Sequence, residues 1–133
     1  MAHYLDTSAL VKLVVAESES AALRAWLNAR DRVPVTSDLA RTELLRAVRR
    51  AAPSHASAAR AVLDSVIILQ LTTAIFEQAA RLDPLVSRSL DALHLAAALD
   101  LGDDLDALVT YDERLAKAAD VNGVAVLAPT RLT

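Results

Sequence analysis

The chain has 133 residues, of which 54% are hydrophobic, and this is enough for one buried core of ordinary domain size. Its net charge of −3 gives no overall basic surface, so contact with a nucleic acid would require a local cluster of arginines. Cysteine is absent, which excludes disulfides, thiolate metal sites and cysteine nucleophiles. The two glycines, Gly102 and Gly123, are too few and too far apart for a phosphate-binding loop or a dinucleotide-binding turn.

The sequence also bears on location. The apolar N-terminal stretch is interrupted by Asp6 and Lys12, and no apolar run reaches the roughly 18 residues that a membrane span needs. We therefore expect a single domain over residues 1–133, located in the cytoplasm and without a membrane partner.

The elements alternate along the chain between short apolar strands and amphipathic helices. In the first half, we predict a strand at His3–Asp6, helices at Ser8–Val15 and Glu19–Ala29, a strand at Arg32–Thr36, a helix capped by Ser37 that runs to about Ala52, and a helix at Ser57–Asp64. In the second half, we predict a strand at Val66–Leu71, a helix at Thr73–Leu82, a helix at Leu90–Leu101 capped by Ser89 and ended by Gly102, a strand at Ala107–Thr110, a helix at Asp112–Ala119 and a strand at Val124–Leu127. This alternation predicts a parallel α/β sandwich.

Four acidic residues occupy positions that face one edge of such a sheet. Asp6 and Asp112 follow predicted strands, and Asp91 lies in the first turn of a helix. Glu43 lies within the helix that follows the second strand. Crowded carboxylates are costly unless a cation neutralises them, and Mg²⁺ or Mn²⁺ prefers oxygen ligands. The set therefore suggests one divalent-metal site able to activate water and stabilise charge on a phosphodiester.

Each acidic residue also has an ordinary structural explanation. Asp6 and Asp112 are suited to cap helices, and Asp91 to compensate a helix dipole. Glu43 is suited to pair with Arg46 or Arg50 on its own helix.

Histidine 94 and the other acids carry less weight. His94 stands three residues after Asp91, and a buried histidine with satisfied hydrogen bonds is favoured over a metal ligand. Three loop acids near Gly102 are expected to be solvated: Asp103, Asp104 and Asp106.

The segments around the four acids resemble the successive motifs of the PIN domain, and most closely those of VapC toxins. The matching segments are Leu5-Asp6-Thr7-Ser8-Ala9-Leu10, Arg41-Thr42-Glu43-Leu44-Leu45-Arg46-Ala47, Ser89-Leu90-Asp91-Ala92-Leu93-His94-Leu95-Ala96-Ala97-Ala98 and Val109-Thr110-Tyr111-Asp112-Glu113-Arg114-Leu115. The resemblance implies a three-layer α/β/α sandwich with a central parallel sheet and a Mg²⁺-dependent endoribonuclease site that also accepts Mn²⁺. It assigns catalysis and metal binding to Asp6, Glu43, Asp91 and Asp112, with Ser8 and Thr110 as supporting hydroxyls.

The resemblance also implies partners. These are a VapB-like antitoxin, an RNA substrate such as transfer or ribosomal RNA, a toxin homodimer, a toxin–antitoxin hetero-oligomer, and operator DNA contacted only through the antitoxin. Four arginines on the helix of Glu43 are candidates for holding RNA phosphates, although a solvated or antitoxin-binding face is an equal alternative: Arg41, Arg46, Arg49 and Arg50.

Two other classes of protein are alternatives to a metal-dependent ribonuclease. An aspartyl-phosphate phosphatase requires a second Asp two residues after the first, where this chain has Ser8, and a receiver domain requires an acidic pair and a late lysine that are not found. The remaining alternative is a catalytically inactive PIN-like module that binds RNA or an antitoxin. Metal-dependent RNA cleavage distinguishes it from an enzyme.

Overall fold

The structure is a computed structural model that describes residues 1–130, and these residues form five strands and seven α-helices. The strands are β1 (Ala2–Leu5), β2 (Val33–Ser37), β3 (Ile67–Leu69), β4 (Leu105–Val109) and β5 (Val126–Leu127). The helices are α1 (Thr7–Lys12), α2 (Ser20–Asn28), α3 (Leu39–Ala51), α4 (Ala56–Ser65), α5 (Thr73–Arg81), α6 (Ser89–Leu99) and α7 (Glu113–Val121). Two short 3₁₀ turns, Pro53–His55 and Gly102–Asp104, precede α4 and β4.

All five strands are parallel and form one sheet in the order β3-β2-β1-β4-β5. The chain builds outward from β1 through β2 to β3, then returns to place β4 on the other side of β1. Parallel α/β sheets bind ligands at the carboxyl ends of their strands where the order reverses in this way. The edge beyond Leu5 and Val109, which pair in register, is therefore the expected functional edge.

Helices cover both faces of the sheet. One buried cluster joins β1 to α1, α2, α3 and α4, and the other joins β1, β2 and β4 to α5, α6 and α7. Every residue of β1, including the polar His3, is buried, so burial does not alternate along this strand. The predicted three-layer α/β/α sandwich with a central parallel sheet is confirmed.

The order of the predicted elements is confirmed, while several boundaries and caps differ. Ser37 does not cap the long helix, because it is the last residue of β2 and its buried hydroxyl accepts a hydrogen bond from Tyr4; Asp38 stands at the cap position instead. Gln70 and Leu71 lie outside β3, whose pairing with β2 ends at Leu69.

Further corrections concern the last third of the chain. Arg88, not Ser89, precedes α6, and the helix ends before Gly102, which begins a 3₁₀ turn with a positive φ of 56°. Strand β4 begins at Leu105 and ends at Val109, so Thr110 lies just beyond it.

Within residues 1–130, no helix has the length and apolar character required to cross a membrane.

Candidate active site

Asp6 is a carboxylate buried at the end of the central strand. Its side chain is 4% exposed. Oδ1 accepts hydrogen bonds from the Ser8 hydroxyl at 2.7 Å and the Ala9 backbone N–H at 3.2 Å, and Oδ2 accepts one from Thr110 Oγ1 at 2.8 Å. Burial raises the pKa of Asp6, and these three donors together with the charge of His94 offset the shift only in part. Asp6 is thus both the N-cap of α1 and a carboxylate held in one orientation.

The two hydroxyls form a bridge between the first turn of α1 and the residue that follows β4. Ser8 Oγ lies 3.3 Å from Thr110 Oγ1 and accepts a hydrogen bond from the Tyr111 N–H at 2.9 Å. Thr110 Oγ1 also accepts from the Asp112 N–H at 3.0 Å. These hydrogen bonds bring the side chains of Asp6, Ser8 and Thr110 together with the N–H of Asp112.

Asp112 caps α7 with only one of its oxygens. Oδ1 accepts hydrogen bonds from the N–H groups of Arg114 at 2.8 Å and Leu115 at 3.2 Å. Oδ2 accepts no hydrogen bond from residues 1–130. Its capping role therefore leaves one oxygen available to a ligand.

Glu43 is not paired with the arginines of its own helix. Its Oε1 accepts from Thr7 Oγ1 at 2.7 Å and contacts His94 Nε2 at 2.5 Å. Burial acts to raise the pKa of Glu43, but the hydrogen bond and charge of His94 and the bond from Thr7 outweigh it and hold the pKa below its ordinary value. Oε2 makes no hydrogen bond within residues 1–130.

His94 is the centre of a buried polar chain that joins the two helical layers. The Tyr4 hydroxyl donates to Ser37 Oγ at 2.9 Å and contacts His94 Nδ1 at 2.8 Å. Both ring nitrogens of His94 therefore have a polar partner, the Tyr4 hydroxyl at Nδ1 and the Glu43 carboxylate at Nε2.

Asp91 lies among like charges and makes no hydrogen bond with the side chains or backbone of residues 1–130. Burial raises the pKa of Asp91, and the negative charge of Asp112 raises it further, with a smaller contribution from Glu43. The charges of His94 and Arg88 oppose this shift without cancelling it. The carboxylates are thus near enough to repel one another. However, no three His, Asp or Glu side chains in the described part of the chain are positioned as a preformed metal site.

The four candidate arginines of α3 are all exposed, and they differ in their position relative to Glu43. At about 100° per residue, Arg41 points about 160° away from Glu43, whereas Arg46 and Arg50 lie within about 60° of it. Because α3 runs back from the functional edge, Arg49 and Arg50 lie roughly 9 to 10 Å beyond Glu43 along the helix axis. Arg46 is the member of the set placed best toward the acids.

Sequence reasoning missed Thr7, Tyr4 and the role of His94. His94 was expected to be a buried, satisfied histidine, and this is confirmed by its 3% exposure. Its partners are the new information, because one of them is Glu43. The available signal was that His94 is the one polar residue among the buried side chains of α6. The other buried side chains of this helix are all alanine or leucine.

Comparison with known proteins gives the family. The PIN domain model matches residues 3–121. The chain is 46% identical over 128 residues to Ribonuclease VapC46 of Mycobacterium tuberculosis, covering 96% of this chain and 97% of that protein. The chain therefore belongs to the PIN-domain family, in its VapC branch.

Solved structures agree on the fold. The crystal structure of VapC20 from Mycobacterium tuberculosis, a sarcin-ricin loop cleaving toxin, superposes with a TM-score of 0.75 at 21% identity, covering 96% of this chain and 99% of that one. VapBC2 from Rickettsia felis, bound to a DNA fragment from its promoter, gives a TM-score of 0.65 at 15% identity, covering 96% of this chain and 98% of that one.

The raised pKa of Asp91 generates a prediction about stability. A carboxyl whose pKa is higher in the folded than in the unfolded state destabilises the fold when it is ionised. In EDTA at neutral pH, Asp91→Asn should therefore melt at or above the wild-type temperature, despite losing a favourable position at the start of α6. The difference should vanish as the pH falls below the ordinary Asp range, because the wild-type carboxyl is then protonated in both states.

Thermal melts across pH measure this effect. Asp31→Asn, on an exposed turn, removes the same charge away from the site and should show no such pH dependence. A variant that melts below wild type at neutral pH would contradict the inferred repulsion around Asp91.

The polar chain through His94 generates a second prediction. His94→Leu keeps comparable volume but leaves the Tyr4 hydroxyl with Ser37 alone and Glu43 with Thr7 alone, which should lower the free energy of unfolding by about 0.5 to 3 kcal/mol for each hydrogen bond lost. Tyr4→Phe should cost less in the His94→Leu protein than in wild type, since the partner is already gone. Urea denaturation of the four proteins gives the coupling, and strictly additive losses would show that Tyr4 and His94 do not act together.

Proposed function

We propose that this protein is a metal-dependent endoribonuclease and the toxin of a toxin–antitoxin pair, acting on structured RNA such as transfer or ribosomal RNA. The observation that supports the proposal is that, at the carboxyl edge of the sheet, Asp6 is hydrogen bonded to Thr110 beside Asp112, while the charges of Asp112 and Glu43 act on Asp91. The 46% identity to a protein named Ribonuclease VapC46 supports the RNA substrate. We expect the activity to be cytoplasmic, because the proposed substrate is found there.

The donor set fits a hard divalent cation, although the geometry is not preformed. The candidate ligands are all carboxylates, and Asp91, Asp112 Oδ2 and Glu43 Oε2 are free of hydrogen bonds within residues 1–130. Burial raises the pKa of Asp91, the charges of Asp112 and Glu43 raise it further, and a cation would neutralise these charges. We expect Mg²⁺, with Mn²⁺ able to substitute, and a small inward movement of side chains when the ion binds.

The protein's own contribution is orientation. When bound, the ion would activate water and stabilise charge on the scissile phosphate. Ser8 and Thr110 hold Asp6 in one rotamer, and His94 and Thr7 hold Glu43 in another. Both oxygens of Asp6 accept hydrogen bonds, whereas Glu43 and Asp112 are each held through one oxygen, and the second oxygen of each is left free to contact a ligand.

Asp6→Asn tests the catalytic assignment. It preserves size but removes the negative charge at the centre of the hydroxyl bridge, so RNA cleavage should fall by about a hundredfold or more while circular dichroism stays unchanged. Wild-type cleavage should require Mg²⁺ or Mn²⁺ and stop in EDTA, and Ca²⁺ should support it poorly because it prefers a larger coordination shell.

Binding of the ion is measured separately from cleavage. Mn²⁺ should raise the melting temperature of wild type more than that of Asp91→Asn, because only the native ligand set binds it fully. Equal shifts would remove Asp91 from the ligand set. Full activity of Asp6→Asn, or cleavage in EDTA, would overturn the metal-dependent mechanism and favour a binding module that lacks catalysis.

We further propose a VapB-like antitoxin as the partner, in a hetero-oligomer built on a toxin homodimer, with operator DNA contacted through the antitoxin. The fold match to VapBC2 from Rickettsia felis supports the existence of such a partner. The Trp26 helix, α2, is a candidate surface for the dimer, because Trp26 and neighbouring alanines line a groove there together with Leu127 and Pro129.

Expression of the wild-type chain in a bacterium should arrest growth. Co-expression with the antitoxin encoded beside it should restore growth, and the two proteins should copurify. Asp6→Asn should copurify equally well but leave growth unaffected, because the substitution lies within the site and removes only catalysis. Growth arrest by Asp6→Asn would show that toxicity comes from binding and not from cleavage.

A further inference from the structure

A cleft beside the acidic site is lined by cationic side chains. It lies between the loop before α6 and the outer face of α7 and has a volume of about 450 Å³. Asp91 forms part of its wall, so the cleft opens directly onto the acids. The other charged side chains in the wall are Arg88, Arg114 and Lys117, and the loop contributes Val86.

The three cations are exposed and unpaired within residues 1–130. None is in an ion pair with an acid there, in a chain whose acidic residues outnumber its Lys and Arg residues by 17 to 14. Arg114 and Lys117 are three residues apart on α7 and therefore share one face of that helix. Because these three cations have no acidic partners within residues 1–130, they create a locally positive potential on a protein whose overall charge is negative.

Their position along the chain places them beside the acids. Arg88 immediately precedes α6 and comes three residues before Asp91, and Arg114 comes two residues after Asp112. The charge of Arg88 is near enough to act on Asp91. By contrast, the arginines of α3 are spread around and along a helix that runs away from this edge. The cleft is therefore a surface that three cations share with one of the catalytic candidates, Asp91.

The loop also exposes apolar side chains. Leu85 is 93% exposed and Val86 is 90% exposed. The chain has few aromatic side chains on which a base could stack. The apolar side chains of this loop are the groups available to contact a base or ribose instead.

We propose that this cleft binds the phosphodiester backbone of the RNA, with Arg88, Arg114 and Lys117 contacting phosphates next to the scissile bond. The inference rests on the proposed function and names the surface that holds its substrate. The cleft supplies affinity and direction, whereas the four acids supply chemistry. Its loss should therefore raise KM far more than it lowers kcat.

The test is RNA binding by an inactive protein. Arg114→Glu with Lys117→Glu is introduced into the Asp6→Asn background, and fluorescence anisotropy measures its Kd for a fluorescein-labelled RNA hairpin over a series of salt concentrations. Kd should rise by about tenfold or more, and the dependence of log Kd on log salt should become shallower by about 0.7 to 0.9 for each lost phosphate contact. In the background with Asp6 intact, KM should rise while kcat changes less.

The matched control makes the same change of charge on the opposite layer. Arg30→Glu with Arg60→Glu alters exposed residues that follow α2 and lie on α4, far from the cleft, and should leave Kd within about twofold of the parent. Arg114→Gln with Lys117→Gln serves as a milder variant, and circular dichroism confirms folding in each case. An equal loss of affinity in the control would reduce the effect to overall charge and overturn the proposal.

Other outcomes separate this inference from the proposed function. If wild type cleaves RNA but the cleft variant binds RNA as its parent does, the enzyme assignment stands and the cleft assignment fails. If the cleft variant loses RNA affinity while wild type never cleaves RNA, the cleft assignment stands and the enzyme assignment fails. If the cleft variant keeps RNA affinity but no longer copurifies with the antitoxin, the surface belongs to the antitoxin and the proposal is overturned.

Discussion

The carboxylate of Asp6 is the group on which the functional edge depends. A buried charge is tolerated only when it is hydrogen bonded, and the hydroxyl donors to Asp6, Ser8 in the first turn of α1 and Thr110 after β4, are more than 100 residues apart in the chain. Leu5 pairs with Val109, and this register places Thr110 at the end of β4 within 2.8 Å of Asp6. The pairing of β4 with β1 is therefore a requirement of the site, because a strand order that did not make them neighbours would separate Thr110 from Asp6.

A second interaction, the contact between His94 and Glu43, holds Glu43 from the other helical layer. Glu43 belongs to the helical layer of α1 to α4, whereas His94 belongs to the layer of α5 to α7, and their contact spans the end of the sheet. Tyr4 extends the chain of hydrogen bonds into the centre of β1 and on to Ser37 of β2. The position of Glu43 is thus determined by both layers and by two strands. A change in the packing of either layer is transmitted to the site through His94.

The sequence was sufficient where a local pattern determines the structure. The apolar strands, the break at Pro53 and the amphipathic helices follow from composition and spacing, and their order led directly to the fold class. It was insufficient where a partner lies far away in the chain. Ser37 is of a residue type favoured at helix caps. However, its hydroxyl accepts a hydrogen bond from Tyr4, 33 residues away in the chain, and this bond holds Ser37 in the sheet.

The same limit applies within the site. The motifs identified the acids but not the partners that orient them. From the sequence, the expected partners of Glu43 are Arg46 and Arg50 on its own helix, since no local pattern indicates a contact with a histidine 51 residues later. The caps formed by Asp6 and Asp112 do not exclude the proposed roles of these residues, because a cap occupies only some of the lone pairs of a carboxylate.

The distribution of charge resolves an apparent conflict between this site and its proposed substrate. Carboxylates repel phosphates, and like charges about 4 Å apart do so by roughly 1 to 4 kcal/mol, depending on the local dielectric. An acidic site therefore cannot attract RNA by itself, and attraction must come from cations close enough to act before the phosphate meets the acids. Arg88 lies three residues before Asp91, and Arg114 lies two residues after Asp112. The beginnings of α6 and α7 therefore present both the acids and the opposing positive charges. This arrangement separates the attraction of a polyanion from the chemistry performed on it, in a protein whose overall charge is negative.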